Sequence, residues 1–151
     1  MPRPQAMRAA TWAVVFLATV VIASLFLGCK KHTVSAPTGP ISKNQAYIYA
    51  MGLAGMTQGQ VVLVSDTGSM KPLLDENAVV VYLPSDGSLI RRNDVVLYIH
   101  PTMGIPIIHR VAYVNATHFI PEGIANSRND GFIPRAAIYG RMVGVVYSDG
   151  Q

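Results

Sequence analysis

Apolar residues follow two different patterns along this chain. Between Arg8 and Lys30 lies one run of 21 uncharged residues, AATWAVVFLATVVIASLFLGC. From residue 61 onward, short runs rich in Val, Ile and Tyr alternate with turn residues such as Asp-Gly, Asn-Asp and Asn-Ala. A run of about 20 apolar residues is long enough to cross a bilayer as a helix. Short β-branched runs bounded by turn residues predict strands.

The second pattern predicts a mainly β domain over residues 61–151. Because no amphipathic helix pattern of 12 or more residues follows Gln60, we expect a coiled β-sheet or a barrel-like core. The expected strands are residues 61–64, 78–83, 94–100, 105–114, 118–120 and 137–147.

Residues 32–60 separate the two patterns. The stretch HTVSAPTGPIS is rich in Pro, Ser, Thr and Gly, which is typical of a linker. Residues 43–60 have a mildly helical composition but contain three glycines, so we expect only a short helix. Its methionine and tyrosine side chains face the core or lie on a membrane surface, and packing is the commoner arrangement. These side chains are Tyr47, Tyr49, Met51 and Met56.

The N-terminal segment, residues 1–31, allows three interpretations. It is a retained membrane helix, a cleaved signal peptide, or a lipoprotein signal in which Leu-Phe-Leu-Gly-Cys resembles a lipobox and Cys29 is lipidated. Its spanning length favours the retained anchor. Arg3, Arg8 and the amino terminus give a slight preference for a cytoplasmic N-terminus. All three interpretations place residues 32–151 outside the cytoplasm, and the first predicts a single-pass membrane protein.

Charge is also divided between the two parts of the chain. Residues 1–59 carry five basic residues and no acidic ones, whereas residues 60–151 carry seven basic and eight acidic residues. The β domain therefore lacks the excess of Lys and Arg that phosphate contacts require, which excludes nucleic acid as a partner. The single cysteine, Cys29, cannot form an internal disulfide.

The connection SDTGSMKP, between two expected strands, is the first candidate for chemistry. A serine nucleophile needs exposure, a base and donors for the oxyanion. Ser69 lies on a tight turn, where Gly68 permits unusual torsion angles and the close approach of a substrate backbone. Taken alone, a Thr-Gly-Ser sequence is more often only a turn.

Histidine is the residue type left to serve as the base. No lysine follows Lys71, which lies too close to Ser69 along the chain to reach back to it. His109 lies inside an apolar strand, where an imidazole needs a polar partner, although a satisfied core histidine would also fit. His100 and His118 lie at strand ends and suggest no particular role.

An acid that orients the imidazole would complete such a site. The polar segment 121–134 contains one Asp, Asp130, and one Glu, Glu122. A solvated loop is the alternative interpretation of this segment.

Four stretches, in this order, resemble the conserved boxes of the type I signal peptidase family. They are TGSMKPLL (67–74), RRNDVVLY (91–98), IIHRVAYV (107–114) and PEGIANSRND (121–130). The last one matches at Gly123, Asn126 and Asp130. The resemblance implies a signal-peptidase-type β core preceded by a transmembrane helix.

The resemblance also implies roles for individual residues. Ser69 is expected as the nucleophile, with the Thr67 hydroxyl and the Ser69 amide as the oxyanion hole. His109 is expected as the base, as in archaeal and endoplasmic-reticulum-type members, and Asp130 as the acid that holds it. The activity implied is a membrane-tethered serine endopeptidase that cleaves signal peptides from exported preproteins and needs no metal or cofactor.

The chain departs from the family pattern at several positions. Asn93 stands where Gly is common, Leu73 replaces a Thr, and Pro121-Glu122 replace Thr-Lys. Ile124 replaces the first Asp of the last box and leaves Asp130 as the one candidate acid.

Two alternative functions follow from the same features. A related self-cleaving or pilin-maturation serine peptidase would resemble this chain at its serine box, and Ala54–Gly55 offers a bond for self-cleavage. A catalytically impaired β domain that acts as a binding or assembly factor is the other, because a fold alone does not establish an activity.

Overall fold

The computed structural model describes residues 34–151. The expected anchor or signal segment, residues 1–31, lies outside the described residues, and so does Cys29. Within residues 34–151, no helix combines the length and apolar character needed to span a bilayer.

The described chain forms one α-helix, seven β-strands and a short 3-10 helix. The elements are α1 (Lys43–Thr57), β1 (Gln60–Leu63), β2 (Ala78–Pro84), β3 (Val95–Ile99), β4 (Pro106–Val114), β5 (His118–Glu122), β6 (Ile133–Pro134), the 3-10 helix (Arg135–Ala137) and β7 (Ile138–Tyr147). The prediction of a mainly β domain is confirmed. Each of the six expected strands is present, with ends that differ by at most two residues. The two-residue strand β6 lies in a segment expected to be loop.

The seven strands form one antiparallel sheet in the order β1-β2-β7-β3-β4-β5-β6. Three strands separate β1 from β4 in this order, yet residues of both strands line the same cleft. The sheet is therefore curled into a half-barrel. Register shifts interrupt the β2–β7, β3–β7 and β4–β5 ladders, and such irregularities increase the bend and twist of the strands.

Helix α1 packs on the sheet through its alanines. It begins with a capping box, in which Ser42 and the side chain of Gln45 satisfy each other's backbone N–H groups. Ala46, Ala50 and Ala54 are buried against valines of β2. Of the two arrangements considered for the methionine and tyrosine side chains, the core-facing one is wrong, because Tyr47, Tyr49, Met51 and Met56 are exposed. The arrangement on a membrane surface stays a prediction. Small alanine side chains let the helix approach the sheet closely and leave the larger residues outside.

Two apolar clusters lie beneath the candidate site and fix the elements that carry it. One joins Met70 and Leu74, just after the Ser69 turn, to valines of β2 and β3. The other joins Tyr98 of β3 and Phe119 of β5 to residues of β4. Full burial of a side chain of this size stabilises the fold by roughly 1.5–3 kcal/mol. The loop after β1 and the strands β3 to β5 are therefore held firmly relative to each other.

Candidate active site

Ser69 lies in a turn between β1 and β2 whose shape depends on its neighbours. Gly68 has a φ of 68°, a left-handed conformation that glycine adopts without steric cost. Met70 and Leu74, with exposures of 3% and 1%, insert into the core directly after the turn. The Ser69 side chain is half-buried and lies at the edge of the cleft.

His109 is brought to Ser69 by the pairing of β3 and β4. It lies opposite Val96 of β3 and is 5% exposed. Its Nε2 is 3.3 Å from the Ser69 Oγ, although the two residues are 40 positions apart in the sequence. The prediction that this hydroxyl and this imidazole meet is confirmed. A separation of 3.3 Å is at the long end of the range for a hydrogen bond.

Asp130 contacts the other nitrogen of the same ring. Its Oδ2 is 2.6 Å from the His109 Nδ1. The loop that carries Asp130 is tied back to β5, because the Asp130 N–H donates to the Pro121 carbonyl at 3.0 Å. When Asp130 is ionised, its carboxylate only accepts hydrogen bonds, which requires the ring proton on Nδ1 and leaves Nε2 to accept the proton of Ser69.

The groups expected as the oxyanion hole lie beside the nucleophile. The Thr67 Oγ1 is 3.2 Å from the Ser69 Oγ. Among the described residues, the Ser69 N–H has no hydrogen-bond acceptor. Their role as the oxyanion hole stays a prediction.

The loop that leads to Asp130 also touches the backbone of the nucleophile. The Ser69 carbonyl accepts a hydrogen bond from the Ala125 N–H at 2.9 Å. A Cβ at Gly123 would lie 2.7 Å from that same carbonyl oxygen and 2.6 Å from the Asn126 Nδ2. Glycine is therefore the residue that lets this loop close on the Ser69 turn. Gly123 and Asn126 belong to the stretch that resembles a signal-peptidase box, but the resemblance gave them no role.

Sequence reasoning missed one member of this network, Tyr98. Its phenol donates a hydrogen bond to the Asp130 Oδ2, the oxygen that also contacts His109. Burial, followed by the hydrogen bond and the charge of Asp130, raises the pKa of the Tyr98 phenol well above its ordinary value. β3 is apolar along its whole length, and no sequence signal connects its Tyr98 to Asp130.

Lys71 takes no part in the network. Its Nζ lies 3.8 Å from Asp66 and 3.9 Å from Glu76. These two carboxylates hold the ammonium in an ion pair, as expected for a lysine that does not serve as the base.

The other two histidines of the described chain lie outside the network. His100 follows β3, and its Nδ1 accepts from the N–H of Thr102 at 3.3 Å, so it caps the loop. His118 begins β5, and its Nδ1 lies 2.9 Å from the Thr117 Oγ1. Both positions agree with the sequence interpretation of strand ends.

Four of the residues that depart from the signal-peptidase pattern have an identifiable contact or backbone conformation in the structure. Asn93 has a φ of 73°, a conformation that favours Gly or Asn, which accounts for Asn in place of Gly. Ile124 and Leu73 pack against the cluster that contains Met70 and Leu74. Glu122 lies across the sheet from Arg110, at 3.5 Å. Ile124 therefore contributes to the apolar support of the Ser69 turn.

A cleft of about 440 Å³ opens beside Ser69 and His109. One wall comes from β1 and the residues that follow it, and the other from residues 105–109 at the start of β4. Apart from the reactive groups its lining is largely aliphatic, with Val62, Val64, Leu74, Leu97 and Ile108 among its residues.

The Ala54–Gly55 bond, considered above for self-cleavage, lies inside α1. Ala54 is 4% exposed there, against the sheet. This bond lies in the last turn of the helix, and a helical peptide bond is not in the extended conformation that a peptidase binds.

Comparison of the sequence with protein-family models finds no match, and comparison with curated proteins finds none that is significant.

Proposed function

We propose that this chain is a membrane-tethered serine endopeptidase that resembles type I signal peptidases and cleaves signal peptides from exported preproteins. The observation that carries the proposal is the continuous series of contacts from Ser69 through His109 to Asp130. A nucleophile, a base and an orienting acid in this order are the arrangement that acyl transfer requires.

The proposed reaction follows from the contact between the Ser69 Oγ and the His109 Nε2. The Ser69 Oγ attacks the scissile carbonyl and its proton passes to the His109 Nε2. The Thr67 hydroxyl and the Ser69 N–H donate to the oxyanion that forms, and one such donor is typically worth about 10²–10³ in rate. As the C–N bond breaks, Nε2 returns the proton to the leaving amine, and water then hydrolyses the acyl-serine ester by the same route.

The cleft supports an extended peptide with small apolar side chains as the substrate. A groove between an edge strand and a second strand accommodates an extended peptide, which gains main-chain hydrogen bonds by running alongside them. Aliphatic walls suit the small apolar side chains of a signal peptide near its cleavage point. Strand β1 is at the end of the sheet order, so among the described strands only β2 pairs with it.

Tethering is proposed from the sequence of residues 1–31. A run of 21 uncharged residues, if retained in the bilayer, keeps the site at the extracytoplasmic membrane face, where signal peptides emerge. The proposal therefore includes a single-pass membrane location and preproteins as partners.

The test is cleavage of a preprotein by the full-length chain in lipid vesicles, with the new N-terminus identified by mass spectrometry. We expect cleavage after a small residue and no product with Ser69→Ala, because the attacking atom is gone. Thr117→Ala removes a hydroxyl that also lies beside a histidine, at 2.9 Å, and should leave the rate unchanged. An uncut preprotein, or equal cleavage by Ser69→Ala, would contradict the proposal.

A further inference from the structure

Tyr98 is completely buried, yet its one polar atom reaches the candidate site. It lies on β3, its ring packs edge-on against Phe119 with centroids 5.4 Å apart, and its relative exposure is 0%. From this fixed position the phenol donates to the Asp130 Oδ2. The ring also lies near His109, at a centroid distance of 6.4 Å.

Asp130 itself has little local support for its side chain. It lies in the loop between β5 and β6, and 18% of its side chain is exposed. Within the described part of the chain, two groups hydrogen-bond to its carboxylate, the His109 Nδ1 and the Tyr98 hydroxyl. Both come from neighbouring strands of the rigid sheet, and both use the same oxygen.

We propose that Tyr98 is a positioning residue, which holds the Asp130 carboxylate in the orientation that directs the His109 Nε2 toward Ser69. This inference rests on the proposed function and adds to it the residue that orients the acid. Its basis is the convergence of a phenol and an imidazole on one carboxylate oxygen. Without the phenol, a carboxylate on an exposed loop can rotate about its side-chain torsions toward water.

The chemistry of the phenol suits this role better than that of a solvent molecule. Burial and the neighbouring carboxylate raise the pKa of Tyr98, so its oxygen keeps its proton and always acts as a donor toward Asp130. A donor fixed by packing also costs no ordering at each catalytic cycle.

A purely structural role is the alternative, in which Tyr98 simply satisfies its own buried hydroxyl. The two roles predict different results for Tyr98→Phe, which removes one oxygen and keeps the ring against Phe119. A structural role predicts lower stability with unchanged kcat. A positioning role predicts a folded protein whose kcat falls about 10-fold, with little change in KM, because misplacement of a catalytic group lowers the rate of the chemical step.

Tyr82→Phe is the matched control. Tyr82 is also buried, and its phenol donates to the Gln60 Oε1 at 2.7 Å, on β1 and β2 away from the reactive groups. We expect its kcat to stay within about twofold of that of the unmodified chain.

The decisive experiment is a double-mutant cycle with Asp130→Ala in the full-length chain, assayed on a preprotein and checked for folding by circular dichroism. If Tyr98 acts through Asp130, Tyr98→Phe lowers kcat in the native background and has no further effect in the Asp130→Ala background. Equal kcat values for Tyr98→Phe, Tyr82→Phe and the unmodified chain would overturn the inference. So would an equal loss in both Asp130 backgrounds.

Two further measurements keep this inference separate from the proposed function. If the unmodified chain cleaves nothing, the proposed function fails, but the contact can still be tested by NMR. The resonance of the His109 Nδ1 proton should shift in Tyr98→Phe and stay in place in Tyr82→Phe.

If Tyr98→Phe does not fold, labelling of the unmodified chain with 3-fluorotyrosine takes the place of that variant, since a more acidic phenol donates more strongly. An unchanged resonance or, in the labelled chain, an unchanged kcat would overturn the inference.

Discussion

Two histidines within residues 34–151 lie beside a hydroxyl group, and only one of them is also buried, in contact with a carboxylate and next to a cleft. The His118 ring is 2.9 Å from the Thr117 Oγ1, which is closer than the 3.3 Å between His109 and the Ser69 Oγ. His118, however, is half-buried at the start of β5, and its partner is its neighbour in the chain. Among the described residues, no carboxylate forms an ion pair with His118.

A short histidine–hydroxyl distance is therefore a weak criterion for a catalytic pair. What distinguishes His109 is burial, a carboxylate on its second nitrogen and a cleft beside the hydroxyl. All three depend on contacts between residues distant in sequence. A local pair such as Thr117 and His118 forms from chain geometry alone and places no substrate.

Replacing each histidine by glutamine gives the largest effect that this comparison predicts. His109→Gln removes the proton acceptor, so the rate of preprotein cleavage should fall by at least about 10³-fold. His118→Gln removes a surface imidazole and should leave the rate within twofold. Steady-state kinetics of the two full-length variants measures the difference, and a comparable loss in both would show that His109 has no special position.

A second effect concerns the loop that closes on the Ser69 turn. Gly123→Ala places a methyl group 2.7 Å from the Ser69 carbonyl oxygen, so the loop that carries Asp130 must move. Overpacking of this kind typically costs 1–3 kcal/mol, and we expect kcat to fall by about 10-fold or more as Asp130 leaves the ring.

Gly52→Ala is the matched control for that substitution. Nothing lies within 4 Å of a Cβ at Gly52, which is on the exposed side of α1. Alanine is the better helix former, so this variant should be more stable by about 0.5–1 kcal/mol. Thermal unfolding and kcat of both variants give the result. If Gly123→Ala has the same unfolding temperature and the same kcat as the native chain, the close contact between the Asp130 loop and the Ser69 carbonyl is not required.

The sequence predicted much of this fold because strands reveal themselves locally. Runs of β-branched residues between turn signals located the six longer strands, and an imidazole in an apolar strand identified His109 as unusual. Only a short helix was expected between residues 43 and 60, but α1 has 15 residues, because its buried alanines pack against the sheet despite its glycines. The buried face was not predicted, because alanines carry little hydrophobic signal. The two-residue β6 is too short to produce a pattern.

The part of the site that was missed depends on register. Alternation with a period of two indicates that Tyr98 and Val96 share a face of β3, but it does not say which residues of other elements lie opposite. Asp130 is in a loop with no periodicity, so its contact with Tyr98 exists only once β3, β4 and the loop have assembled. The same limit applies to Gly123, whose need for glycine comes from the Ser69 backbone 54 positions away.

The smallest expected effect is on the free energy of unfolding at high pH. It should differ between Tyr98, the buried tyrosine of the candidate site, and Tyr82, a buried tyrosine outside it. The folded-state pKa of Tyr98 lies above its unfolded value, so the neutral phenol stabilises the fold at every pH below about 10. That contribution is lost as the pH rises above the unfolded value toward the folded one, because the unfolded chain then releases a proton that the folded chain keeps. The free energy of unfolding should therefore decrease above pH 10, by up to about 1.4 kcal/mol per pH unit for one phenol.

Tyr98→Phe should reduce that slope, and Tyr82→Phe should reduce it less. Burial and the charge of Tyr139 also raise the pKa of Tyr82, but its hydrogen-bond acceptor is a neutral amide, whereas that of Tyr98 is a carboxylate. A neighbouring negative charge opposes ionisation of a phenol more strongly than an amide does. Urea unfolding of the full-length chain between pH 9 and 11, followed by circular dichroism, measures the three slopes. Equal pH slopes of the unfolding free energy for Tyr98→Phe and Tyr82→Phe would mean that the Tyr98 phenol is not held against an ionised Asp130. Tyr98 would then behave like Tyr82.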